Sequence, residues 1–445
     1  MRPFLLGLCM LSVLSGWCDP SDTSLVETYG FASWQNQVLN MECLHSKGFT
    51  GKGITIAHFD DGFNGIDTLG AFGHVFRDSL LKGTWDFVYN RPIEFSKTGT
   101  HGAHTLSVIS AYQPGFFVGT AYGANILLAH TEDSRSETHQ EEINWKNAVY
   151  WADSMGADII TSSLGYAMFD QGEVDYTLSM LNGDTAIITK AADEASLRGI
   201  LVVVPAGNSG REKWQKVTFP GDAHYALTVG AVDSIGKVAD FSGRGPTTDG
   251  RIKPDVAAMG RTVFFLRTNG EVAYGSGTSF STPMMAGLAA CLMEAHPERT
   301  NTQVISAIRQ SANQYDQPDN DIGYGIPDAC IADSILGVMD DQANGNIDLR
   351  PIVHGTITSQ ISATESGVEM RFDKNVWRKN KKQRPRKVII TNLHEELVYE
   401  ARKFKTKTKE NEVIFKSDFT LQPGNYILKV YYRDGPAGII NMRVK

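Results

Sequence analysis

Between residues 54 and 335 the chain alternates short apolar runs with amphipathic stretches. The runs Ile54–Phe59, Asn125–Ala129, Asp158–Ser162, Ile200–Val204 and Ala226–Ala231 are rich in Ile, Val, Leu and Ala and read as strands. Apolar residues at helical spacing predict helices near His104–Ala111, Glu141–Met155, Ala186–Arg198, Ser281–Ala295, Thr302–Ala312 and Asp328–Leu336. Strands that are apolar throughout, separated by helices, specify an α/β fold whose parallel sheet is covered by helices on both faces. Functional groups in such sheets gather beyond the carboxyl ends of the strands. After about residue 340 the pattern changes. Asp341–Gly345 is polar and without period, and the later segments are short and alternating: Val388–Thr391, Glu396–Glu400, Glu412–Lys416 and Tyr426–Tyr432. The expected organisation is an α/β unit over 19–340, a linker over 341–369 and a small C-terminal β-sandwich over 370–445.

The first 18 residues stand apart. Arg2 precedes an apolar run from Phe4 to Leu14, then small residues at Ser15 and Gly16. This is the pattern of a secretory signal over 1–18, too short for the ~20 apolar residues that span a bilayer. No later segment is long and apolar enough to be a transmembrane helix. Charge divides the chain in two. Residues 346–445 carry 20 Lys and Arg against 11 Asp and Glu, so of the net −8 the first 345 residues hold −17. An acidic body with a basic tail suggests two units with different tasks. No nucleic-acid-binding motif accompanies the basic charge. Outside the signal the cysteines are Cys43, Cys291 and Cys330. An odd number at wide spacing indicates no disulfide framework, and the three are expected to be small buried hydrophobes. Without a C-x-x-C, neither a zinc nor a redox site is indicated.

Candidate chemistry lies in four segments. In G-T-S-F-S-T-P, Gly277–Pro283, Ser279 opens a helix whose Phe280, Met284, Leu288 and Leu292 recur every four residues. A serine there has an exposed hydroxyl and a backbone N–H in the field of the helix start, which suits a nucleophile whose substrate becomes an oxyanion. Serine needs a base. H-G-A-H, His101–His104, offers His101, which can face a cleft because Gly102 follows it; His104, one turn on, is expected to pack or face solvent. The base needs a buried carboxylate to fix its tautomer. F-D-D-G, Phe59–Gly62, places Asp60 at the end of the first strand, with Asp61 as a competitor that the alternation does not exclude. P-A-G-N-S-G, Pro205–Gly210, follows another strand and holds Asn208 in a glycine-flanked turn where its amide can point at a substrate. Each residue alone has an ordinary structural explanation: an N-cap Ser, a helix-start His, a strand-end Asp, a turn Asn. The combination in the order Asp, His, Ser carries the weight.

Together I-A-H-F-D-D-G, T-H-G-A-H, P-A-G-N-S-G and G-T-S-F-S-T-P resemble the Asp, His, oxyanion-Asn and Ser boxes of subtilisin-like serine peptidases. Supporting segments are F-S-G-R-G-P at Phe241–Pro246, I-K-P-D-V-A-A at Ile252–Ala258 and G-Y-G-I-P-D at Gly323–Asp328. The resemblance covers about residues 30 to 338 and is strongest to the secreted subtilases of Bacteroidetes-type bacteria. It implies an endopeptidase with Asp60, His101 and Ser279 as catalytic triad and Asn208 in the oxyanion hole. Protein or peptide substrates would lie extended beside Ser163, Leu164 and Gly165 of the S-S-L-G segment. The chemistry implied needs no cofactor. A structural calcium is common in the family, and no cluster of oxygen ligands here is clear enough to locate one. The chain departs from the family pattern at Asp61, where Thr, Ser or Ala is usual, and at A-H-T-L-S, which replaces T-H-V-A-G. Only a short stretch separates the expected signal from the catalytic segment, too short for the folding-assisting propeptide many subtilases carry. The tail, with V-I-I-T-N-L-H-E-E-L-V-Y and L-Q-P-G-N-Y-I-L-K-V-Y, resembles the C-terminal sorting domain of the type IX secretion system. That implies a partner in the secretion machinery and export through the periplasm to the cell surface or medium.

Overall fold

The computed structural model describes residues 28–338 and, beyond them, the backbone of nine strands between Ile347 and Val444. The expected signal over 1–18 lies outside the described residues.

Seven parallel strands form the central sheet: β1 Thr55–Asp60, β2 Leu81–Asp86, β5 Asn125–His130, β6 Ile159–Ser162, β7 Leu201–Pro205, β8 Leu227–Val232 and β9 Val256–Met259, in the order β2-β5-β1-β6-β7-β8-β9. A two-residue ladder, β3 Tyr112–Gln113 with β4 Phe117–Val118, and a hairpin, β10 Val263–Leu266 with β11 Val272–Gly275, stand apart from it. The five apolar runs are the five inner strands, because a strand between two others in a doubly covered sheet must be apolar on both faces. Two strands were not evident in the sequence. β2, at the sheet edge, contains Lys82 and Gly83 and is buried only at Asp86. β9 is a four-residue V-A-A-M at the other edge.

The pleat of each strand divides its side chains between two cores. Ile56, Leu201, Val203 and Val229 pack with the helices His101–Ser110, Thr278–Ala295, Asn301–Gln310 and Ala329–Val338 on one face. Ala57, Phe59, Val202 and Val204 pack with His139–Ser154 and Ile187–Leu197 on the other. Thr278–Ala295 is buried on all sides from Thr278 to Leu292, as befits a helix enclosed by the sheet and its neighbours. Among the described residues no helix is long and apolar enough to cross a membrane.

The cysteine expectation needs correction. Cys43 and Cys330 form a disulfide with Cα atoms 5.5 Å apart, across a sequence separation of 287. It joins the short helix Glu42–His45 to Ala329–Val338. Spacing could not reveal this pair, since the fold alone brings the two ends of the domain together. Cys291 is free and buried, as expected of all three.

In the tail, the backbone pairs into a five-stranded and a four-stranded antiparallel sheet. Three of these strands, Ile347–Leu349, Ser359–Thr364 and Gly367–Asp373, begin inside the stretch expected to be a linker, 341–369. Their polar composition hides them from a reading based on apolar alternation. The paired backbone therefore begins at Ile347 rather than near residue 370.

Candidate active site

The carboxyl end of β1 supplies the first functional group. Ile56, His58 and Asp60 share one face of the strand by the two-residue repeat, and this face meets the helix His101–Ser110. Asp60 is fully buried. Its Oδ1 accepts from His101 Nδ1 at 2.7 Å and from the Asp61 backbone N–H at 2.8 Å. Gly102 permits this approach: a Cβ there would lie 2.4 Å from the Gly62 carbonyl oxygen and 2.8 Å from Asp60 Cβ. Asp61 is past the strand end and does a different job. Its Oδ1 accepts the Gly102 N–H at 3.2 Å, so it caps the first turn of the His101 helix.

Electrostatics follow from that geometry. Burial pushes the Asp60 carboxyl up, but the charge and hydrogen bond of His101, with His58, outweigh it and hold Asp60 well below the usual carboxylate range. Burial alone would lower His101. The Asp60 carboxylate, with Asp61, prevails and raises it to about 9. Burial and the like charge of Asp60 raise Asp61. His104 packs its ring 4.6 Å from that of Phe265, and burial with nearby His101 lowers it to about 4.

Sequence reasoning missed two residues behind Asp60. His58 is fully buried, with Nε2 2.9 Å from Thr105 Oγ1 and 3.4 Å from Asp60 Oδ2. Thr105 Oγ1 donates to Asp60 Oδ2 at 3.0 Å. Both carboxylate oxygens of Asp60 are therefore engaged, one toward His101 and one toward this rear pair. The signal was present: two residues before a strand-end Asp faces the same side.

Ser279 is the second residue of Thr278–Ala295, where a backbone N–H has no carbonyl four residues back within the helix. Pro283, four residues on, has no N–H to donate to the Ser279 carbonyl. That carbonyl instead accepts from Ser163 Oγ at 2.9 Å, which ties the Ser163–Leu164–Gly165 segment to the helix start. Asn208, at the start of the turn Ser209–Arg211, is held by its oxygen: Oδ1 accepts the Thr278 N–H at 2.9 Å and Thr278 Oγ1 at 3.1 Å. Its Nδ2 donates to no group among the described residues and is left for a ligand. A Cβ on Gly277 would sit 2.8 Å from Ser279 Oγ and 3.5 Å from Asn208 Nδ2. The hydroxyl and the amide thus border one small space that only glycine keeps open. Ser279 Oγ makes no hydrogen bond to His101, whose ring centroid is 6.5 Å from that of Phe280.

The expected residues therefore divide. Asp60 joins His101 directly, and Asn208 reaches the start of the Ser279 helix. Ser163 is bonded to Ser279, while the Ser279–His101 bond is unmade. A cavity of about 360 Å³ opens beside them, lined by Ser163, Leu164, Gly165, Gly207, Asn208 and Thr278 among others. Among the described residues one group of metal-ligating side chains converges: Asp60, Asp61 and His101. It does not fit calcium, which takes six to eight oxygens, because Asp60 Oδ1 and His101 Nδ1 are spent on each other.

Comparison with known proteins agrees with the fold and the boxes. Subtilisin E of Bacillus subtilis (strain 168) is 30% identical over 272 residues, 60% of this chain and 63% of subtilisin E, so the match spans less than two thirds of that relative. Serine protease AprX of the same organism is 27% identical over 346 residues, 71% of this chain and 72% of AprX. Among solved structures, MycP1 with its N-terminal propeptide removed has TM-score 0.51 at 24% identity, covering 67% of this chain and 96% of MycP1. The prenylagaramide maturation protease PagA has TM-score 0.52 at 24% identity, covering 66% and 98%. At such identity these two speak for the fold alone. The model of the Subtilase family, peptidase S8, matches residues 51–325, well over half of the chain and spanning all four boxes. On the strength of that match this chain belongs to the subtilase family.

Proposed function

We propose that the chain is a serine endopeptidase acting through an acyl-enzyme, with Asp60, His101 and Ser279 as its triad. One observation carries the reading: fully buried Asp60 binds His101 Nδ1 at 2.7 Å, leaving Nε2 as the free base. The peptide lies extended beside Ser163, Leu164 and Gly165. Ser279 Oγ attacks the scissile carbonyl while His101 Nε2 takes its proton, and Asp60 holds the tautomer and stabilises the imidazolium. The tetrahedral oxyanion is met by Asn208 Nδ2 and the Ser279 backbone N–H. His101 then protonates the leaving amine and activates the water that releases the acyl group. The Ser279–His101 hydrogen bond is one that tightens when substrate orders the site.

Casein digestion by the wild type beside Ser279→Ala tests this. The variant is expected to lose digestion while keeping its fold, since losing a helix-start hydroxyl costs at most ~1–2 kcal/mol. Full activity in the variant overturns the mechanism.

We further propose that the protein is exported through the periplasm to the cell surface or medium, as a Bacteroidetes-type subtilase would be. Residues 370–445 would serve the type IX secretion machinery as a β-sandwich sorting domain. The signal-like pattern of Met1–Cys18 and the Cys43–Cys330 disulfide, a bond that persists in oxidising compartments, support export. The switch from −17 in the body to +9 in the tail supports a separate task for the tail.

A further inference from the structure

The cavity beside Asn208 and Ser163–Gly165 is lined by three carboxylates, Glu132, Glu137 and Glu212, and by no Lys, Arg or His. Carboxylates alone do not make a site, so the state of each matters. Glu132 is only 8% exposed. Its Oε1 accepts from Tyr166 Oη at 2.5 Å and from Thr131 Oγ1 at 3.1 Å. Its Oε2 has no hydrogen-bond partner among the described residues. Thr218, also 8% exposed, lines the same cavity, and its buried Oγ1 has no partner either. Oε2 opens to the cavity, and the buried Thr218 Oγ1 lining it is a polar atom whose burial is costly unless a ligand completes it. Burial, only partly offset by Tyr166, pushes Glu132 up to about 8. Burial, with Glu141 and Asp170 nearby, pushes Glu137 up to about 7. Burial is the main cause of both shifts, and neighbouring carboxylates add to it. Of the cations close in sequence, Arg135 pairs with Asp133 and Arg211 with Asp240, while Lys213 is exposed and does not line the cavity.

We propose that this cleft receives a cationic side chain, lysine or arginine, of the peptide substrate, with Glu132 as the specificity-determining residue and Glu137 reinforcing it. The inference rests on the endopeptidase reading, because it names the substrate class of that site. The side chain would donate to Glu132 Oε2 while Tyr166 holds Oε1, a charge-assisted bond at the buried end of an open cleft. Tyr166 stacks on Phe169 with ring centroids 6.1 Å apart, so the carboxylate sits against an ordered aromatic wall.

The test uses the full chain and two readouts. Peptide series that differ only by arginine or its neutral isostere citrulline, at each position flanking the scissile bond, are compared by kcat/KM. The same peptides are titrated by fluorescence anisotropy against Ser279→Ala, which binds without cleaving. At one position arginine is expected to exceed citrulline by at least about tenfold in both readouts. Glu132→Gln keeps an acceptor for Tyr166 and Thr131 and removes only the charge, so the arginine-to-citrulline ratio is expected to fall toward one. Glu137→Gln, on an exposed loop, lowers the ratio less and serves if the buried variant does not fold. A wild-type ratio near one at every position, or a ratio unchanged in both Gln variants, overturns the inference while leaving the peptidase intact. Preferential binding of arginine peptides without any cleavage would uphold it and overturn the endopeptidase reading instead.

Discussion

Replacing Asn208 by alanine, alone and together with Thr278→Val, tests how the oxyanion donor is aimed. Asn208 Oδ1 is anchored by two bonds from Thr278, the backbone N–H at 2.9 Å and Oγ1 at 3.1 Å, which leave Nδ2 free to donate to the proposed oxyanion. Asn208→Ala removes the donor itself. The expected loss is ~10²–10³ in kcat, about 2.7–4 kcal/mol, a magnitude carried over from a member of the same family rather than derived from these distances. KM should change little, because the donor acts on the transition state. Thr278→Val preserves side-chain shape and removes only the second anchor. A hydrogen bond of that kind is worth about 0.5–1.5 kcal/mol, so the expected loss is roughly two- to tenfold in kcat. The double variant is decisive. If Thr278 acts through Asn208, then Thr278→Val should have almost no further effect once Asn208 is alanine. The assay is hydrolysis of a chromogenic peptide with kcat and KM resolved for all four proteins. Equal losses from Thr278→Val in both backgrounds would show that Thr278 acts on the helix start instead. A pure KM effect of Asn208→Ala would make Asn208 a ground-state binder.

Asp60→Asn should cost about 10⁴ in kcat by destroying the His101 tautomer, and Asp61→Asn far less, since Asp61 faces the helix N-terminus; the reverse ranking, measured side by side, would refute the assignment. The base must be neutral to act, and His101 is raised to about 9, so kcat/KM should rise with pH well above the ordinary histidine range. Asp61 contributes to that elevation, so Asp61→Asn should move the acid limb to lower pH; an unmoved limb contradicts the coupling. Reducing the Cys43–Cys330 disulfide reopens a loop of separation 287, for which chain entropy gives an upper bound of roughly 5.7 kcal/mol. Thermal unfolding with and without reductant should show a clear drop in Tm, and no drop would mean the bridge closes no loop that matters to unfolding. A chain ended at Asp340 should digest casein as the full chain does but stay in the periplasm of its host; normal export rejects the sorting role, and lost digestion makes the tail a substrate-binding domain.

The linear order of residues decided the fold class and the identity of the candidate chemistry. Inner strands of a doubly covered sheet must be apolar on both faces, so their runs are visible without any knowledge of partners. The four boxes are equally local: each functional group is set by its own strand end, helix start or glycine turn. Other features depend on what lies opposite. Strand alternation alone does not separate Asp60 from Asp61, which only the family resemblance told apart, and the pleat of β1, with Ile56 and His58 facing the His101 helix, directs Asp60 to His101. His58 and Thr105 gain meaning only from their common contact with Asp60. The edge strand β2 and the polar strands of the tail are stabilised by neighbours rather than by their own apolar content. The Cys43–Cys330 bridge and the meeting of Glu132 and Glu137 with Glu212 around one cavity join segments far apart in the chain. Local pattern carries what a segment needs in order to be buried. Which segments then touch is decided by chain closure, and that exists only once the sheet has assembled.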